Sequence, residues 1–158
     1  MSGAAAPAFT DRGQSDESRF VPMQVDRLSE RAAETVTLRS RIDALIALMD
    51  ACASAVEPNW NGLGSDPVSV DTYKTAERFA QSLPYWMPVP EVAVYPDGAI
   101  EFEWYAGPRS VFAVSVSSSD LLNYAGLFGA RTAHGTIRFV DEFPAEFQSR
   151  LLDLFGLK

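Results

Sequence analysis

The sequence predicts an α+β domain: an antiparallel meander of about five strands with helices packed on one face, two layers in the order helix, helix, sheet, helix. Three observations predict it. Residues 100–105 alternate strictly, with Ile100, Phe102 and Trp104 on one side and Glu101, Glu103 and Tyr105 on the other; that is the period of a half-buried strand. Between about 25 and 56 the apolar residues recur at helical spacing instead. Short turns then divide the chain from 91 to 140 into apolar segments of strand length, as in a run of hairpins.

Residues 1–22 are rich in Ala, Gly, Ser, Pro and charge, with Phe9, Phe20 and Val21 isolated, which is the composition of a disordered tail. The ordered domain is expected over 23–158. Its first element is a long helix, about 25–56, on which Leu38, Ile42, Leu45, Met49, Cys52 and Val56 form an a/d stripe. The stripe is expected to pack on the sheet of its own domain, and it also offers a seam for a homodimer. Cys52, the single cysteine, reads as a small core residue. Glu57-Pro58 ends the helix, because the residue before proline is pushed out of the α region. Residues 60–67, WNGLGSDP, are dense in turn chemistry. Trp60 is expected to plug the junction between two helices. The glycines are no phosphate loop, since G-x-x-x-x-G-K-[ST] is absent. Ser69 reads as an N-cap, with Asp71 in the first turn. The second helix runs to about Leu83 and buries Tyr73, Ala76, Phe79, Ala80 and Leu83. Pro84 and the MPVP at 87–90 break the chain, with Trp86 over the core edge.

The strand registers follow from the apolar pattern. A three-residue loop, Pro96-Asp97-Gly98, pairs Val94 with Ile100 and Val92 with Phe102, and Gly98 supplies the left-handed residue that a type I turn needs after it. A five-residue loop, Ala106–Ser110, pairs Trp104 with Phe112, Phe102 with Val114 and Ile100 with Val116, so that the inner face is fully apolar. A loop over Ser117–Leu121 pairs Val116 with Leu122 and Val114 with Tyr124. Gly126, Gly129 and Gly135 predict an irregular connection to a fifth strand at about Thr136–Val140. Pro144 opens the last helix, which buries Phe147, Leu151, Leu154 and Phe155 and stops at Gly156.

Taken together, WNGLGSDP, PDGAIEFEW, LLNYAGLFG with HGTIRF, and a closing Phe-Pro helix resemble a family of small bacterial proteins. Its members carry W-[DN]-G-x-G, a D-G-x-I-x-[FL]-E-W strand and a later Y…HG block. The likeness covers about residues 57–156. Asn61 stands where the family commonly has Asp, which weakens an acid or metal role at that position. The resemblance implies a bacterial origin and no particular activity.

The formal net charge is −8 over 158 residues. That argues against binding nucleic acid or anionic lipid and favours a basic protein partner. No apolar run approaches the roughly 20 residues needed to span a bilayer. The N-terminus has no basic region followed by an apolar one, so the chain is expected to be cytoplasmic. No cofactor or metal is expected: His134 is the only histidine and has no cysteine near it in sequence. No G-x-S-x-G elbow is present. The leading functional expectation is an antitoxin-like, immunity-like or regulatory module. It binds a basic partner through the outer sheet face, where Glu101, Glu103 and Tyr105 flank a floor of Ala113 and Ser115. A second is a small enzyme whose cleft lies between the Trp60, Asn61, Gly62, Gly64 loop and Glu101, Glu103 and His134. A third is a structural homodimer held by the 25–56 helix.

Overall fold

The turn at Pro96-Asp97-Gly98 forms as its residues require. Gly98 N–H donates to Tyr95 O at 2.9 Å and Tyr95 N–H donates to Ala99 O at 2.8 Å. Gly98 lies at φ +78°, and a Cβ there would sit 2.7 Å from the Pro67 carbonyl oxygen. Conformation and space both demand glycine at this point. The computed structural model describes residues 39–157. The expected disordered tail and the part of the long helix before residue 39 lie outside the described residues.

Helix α1 covers residues 39–53 and helix α2 covers Val70–Ser82. Strands β1 (Glu91–Val94), β2 (Ile100–Gly107), β3 (Ser110–Val116), β4 (Leu121–Phe128) and β5 (Arg131–Arg138) follow, then helix α3 (Ala145–Phe155). The strands form one antiparallel sheet in the order β1-β2-β3-β4-β5. The predicted α+β class and meander are what the chain adopts. Among the described residues, no helix is long and apolar enough to cross a membrane.

All three predicted registers are present: Val94 faces Ile100, Phe102 faces Val114, and Val116 faces Leu122. Two connections differ from expectation. The β2–β3 link is not an open loop over Ala106–Ser110. Gly107 pairs with Ser110, and the odd residue is absorbed as a bulge between Tyr105 and Gly107. The tight turn works because Arg109 takes φ +60°, is anchored by its Nε donating to Gly129 O at 3.0 Å, and accepts Gly129 N–H at 2.7 Å. The fifth strand is Arg131–Arg138, not Thr136–Val140. Gly126 and Gly135 do not interrupt it. A Cβ on Gly135 would lie 2.8 Å from the Tyr124 hydroxyl, and one on Gly126 would lie 2.5 Å from the Phe128 ring. Both glycines make room for aromatic rings on the inner face and leave the ladder intact. Phe139, just past the strand, is still buried.

The inner face packs against α2 and α3, and buried residues of α1 join the same core cluster. Phe79 of α2 is central, in edge contact with Phe102 at 5.0 Å, Phe139 at 5.8 Å and Phe147 at 6.4 Å between ring centroids. Ser69 Oγ accepts Thr72 N–H at 3.1 Å and starts α2 as predicted. Gly156, at φ +64°, ends α3, with Leu157 N–H on Leu152 O at 2.9 Å.

In α1 the expected stripe is only partly the buried one. The helix ends at residue 53, short of the expected 56, so Ala55 and Val56 lie beyond it; within α1, Ala44, Leu48 and Cys52 are buried and Leu45 packs against them. Ile42, Met49 and Val56 are 44%, 60% and 64% exposed, and Ile46 is 50% exposed. The helix approaches its neighbours through small residues, and this turns the larger ones outward. Arg41 fixes its angle by donating from Nε to Leu83 O, the C-cap of α2, at 3.1 Å.

Candidate functional site

Alternation along β2 sends Ile100, Phe102 and Trp104 into the core and Glu101, Glu103 and Tyr105 to the outer face. The registers then fix what stands beside them. One row across the sheet reads Glu91, Glu103, Ala113, Ala125, His134. The next reads Ala93, Glu101, Ser115, Asn123, Thr136. Tyr105 stands opposite Val111. The five predicted face residues, Glu101, Glu103, Tyr105, Ala113 and Ser115, therefore lie together on adjacent strands.

The face is graded. Carboxylates occupy the β1–β2 side, small residues the middle, and His134, Thr136 and Arg138 the β5 edge. Tyr105 is 61% exposed, while Glu101, Glu103, Ala113 and Ser115 are half-buried among one another. Tyr95 donates its hydroxyl to Glu101 Oε1 at 2.8 Å. That hydrogen bond, together with the negative charge beside it, raises the Tyr95 phenol above its ordinary value. On the other side of the floor, Thr136 Oγ1 donates to Asn123 Oδ1 at 2.7 Å. The three aromatic and acidic groups on β2 are therefore held on a rigid strand, where the pleat fixes their spacing.

The enzyme cleft does not assemble. His134 on β5 is three strands away from Glu103 on β2, about 14 Å at the usual strand spacing. A proton relay needs contact within hydrogen-bond reach or through one water. Among the described residues, no group of three or more His, Cys, Asp or Glu is placed to hold a metal ion.

The Trp60–Gly64 loop is also differently built from expectation. Trp60 does not plug a helix junction, and it is not part of the core cluster. Its indole N–H donates to Asp66 O at 3.0 Å and staples its own loop. Asn59, at φ +60°, accepts Gly64 N–H at 2.6 Å through Oδ1, and Asn61 Oδ1 accepts Leu63 N–H at 2.8 Å. Gly62 and Gly64 at positive φ curl the chain back so that these bonds close. Asn61 is thereby spent on the backbone. The loop is tied to the β1–β2 turn by Asp66 N–H on Pro96 O at 2.7 Å.

Two residues at the acidic edge escaped the sequence reading, Glu91 and Tyr95. The signal for Glu91 was present: a register that pairs Val94 with Ile100 also pairs Glu91 with Glu103. No family model, no curated protein and no solved structure matches this chain.

Proposed function

We propose that this chain is a non-catalytic interaction module, antitoxin-like, immunity-like or regulatory, that binds a basic protein partner through its outer sheet face. The observation that carries the reading is the grouping of Glu91, Glu101 and Glu103 at one edge of a shallow floor of Ala113, Ser115 and Ala125, beside exposed Tyr105. Small residues leave room for incoming side chains, carboxylates steer and select a cationic surface, and tyrosine supplies a rigid contact. A net charge of −8 acts in the same direction at longer range. The test is affinity capture after co-expression with the products of neighbouring genes. Glu103→Lys and Ala113→Arg should each lose the captured partner while keeping the circular dichroism spectrum of the parent. Capture undiminished in both variants ends the proposal.

One observation favours a second reading, self-association through α1. Ile42, Ile46 and Met49 form an exposed apolar seam at 4-3 spacing on α1. Sedimentation velocity decides it. A dimeric parent that becomes monomeric as Ile46→Glu supports the seam, and a parent monomeric at high concentration removes it.

A further inference from the structure

Strand β1 begins only at Glu91, after the segment 88–90, whereas β2 continues past the partner position, Glu103, to Gly107. Beyond Glu103, β2 has no strand neighbour on that side among the described residues. The alternation of ladder hydrogen bonds determines which backbone groups this leaves open. Tyr95 N–H donates to Ala99 O, so the odd-numbered residues of β2 turn their backbone groups toward β1. Glu103 meets Glu91. Tyr105 is next in the series, and its N–H and C=O point into the notch ahead of the start of β1.

A cavity of about 220 Å³ fills that notch. Pro88, Val89, Trp104, Tyr105 and Phe155 line it, and Glu91 and Glu103 border it. Trp104 is buried, with its indole N–H donating to Pro88 O at 2.8 Å, so the aromatic ring exposed beside the two carboxylates is that of Tyr105. Glu91 and Glu103 are directly opposed like charges, an arrangement that destabilises a strand pair. The ion pairs found among the described residues involve neither of them.

We propose that this notch binds the guanidinium of an arginine carried on an extended segment of the basic partner; the inference rests on the reading of the outer face as a partner surface. A planar guanidinium satisfies two carboxylates at once and stacks on an aromatic ring, which an ammonium does less well. The segment's backbone pairs with Tyr105 N–H and C=O and so continues the line of β1 across the gap. The cation offsets the Glu91–Glu103 repulsion, the exposed Tyr105 ring shields the contact from water, and the open backbone sets the direction of the bound chain.

The probe is N-acetyl-arginine amide, titrated into the ¹⁵N-labelled full chain and followed by amide chemical shifts, with N-acetyl-citrulline amide as its neutral isostere. The arginine compound should saturably shift the amides of Glu91, Glu103, Tyr105 and Phe155, and should bind at least about tenfold more tightly than the citrulline compound. Raising sodium chloride from about 0.05 to about 0.5 M should weaken it. Glu103→Gln should lose the arginine preference with the rest of the spectrum retained, and Glu91→Gln gives the same reading if the first variant perturbs the fold. Equal binding of the two compounds, shifts centred elsewhere, or an unchanged preference in both variants overturns the notch. A partner captured through the outer face without any arginine response at the notch removes this inference and leaves the functional reading standing. An arginine response together with capture indifferent to Glu103→Lys and Ala113→Arg does the reverse.

Discussion

Glu91 and Glu103 stand opposite each other on β1 and β2, and the pair opposes the strand ladder that holds it. Neutralising either one, as Glu91→Gln or Glu103→Gln, should raise stability by a few tenths of a kcal/mol in urea unfolding. The gain should shrink at about 0.5 M salt, where exposed charges are screened. A loss of stability at low salt would show that the pair is not repulsive. A second residue-scale contact has the opposite sense. Tyr124 donates its hydroxyl to Glu146, which also pairs with Arg150 at 3.3 Å. The bond from Tyr124 holds the Glu146 carboxyl below its ordinary value and raises the Tyr124 phenol above its own. A lowered carboxyl contributes stability that is present above its unfolded value and lost as pH falls through the folded one. A raised phenol contributes stability that is present below about pH 10 and lost as pH rises past it. Tyr124→Phe should therefore melt lower than the parent at pH 7, and the gap should close below about pH 4. A gap that stays constant from neutral to acid pH would assign the loss to packing alone.

At the scale of elements, the glycines of β4 and β5 show how a turn signal becomes a packing signal. Gly135 stands opposite Tyr124 and lies under its ring. Gly135→Ala should cost about 1–3 kcal/mol, because the ring is pinned by Glu146 and cannot move aside freely. In a Tyr124→Leu background the same substitution should cost much less. A double-mutant cycle with no coupling would place the strain elsewhere. Glycine punctuates loops and also admits close approach, and one sequence does not say which applies. The stripe of α1 was misread for a related reason. Two seams lie side by side on that helix. The one richer in large apolar residues, Ile42, Ile46 and Met49, faces outward, and the one containing Ala44, Leu48 and Cys52 is buried. Alanine carries little apolar weight in a periodicity argument, yet it is the residue that lets a helix backbone come close.

Across the whole molecule, one core cluster joins α1, α2, the sheet and α3. Phe79 meets rings from the sheet and from the C-terminal segment, so its loss is felt by every layer. Phe79→Ala should cost about 3–5 kcal/mol. The parent should unfold in a single transition, with tryptophan fluorescence and far-ultraviolet circular dichroism coincident. Separated transitions would mean that the helices and the sheet do not share one cooperative core. The same layering decides where surfaces lie. The helices cover one face of the sheet, which leaves the acidic outer face on one side and the α1 seam on the other.

Residue order alone is enough to specify the α+β class, the five-strand meander, the registers of the first three hairpins, and the membership of the outer face from Glu101 to Ser115. These rest on period and turn chemistry, which act between near neighbours in the chain. Long-range packing settles which side of α1 is buried, that Gly126 and Gly135 lie inside strands, that the Trp60 loop closes on itself, and that His134 stands three strands from Glu103. Each of those depends on which distant side chain fills a given space. The strand at 100–107 belongs to both accounts: alternation placed its side chains, and the late start of β1 at Glu91 opened the notch beside it.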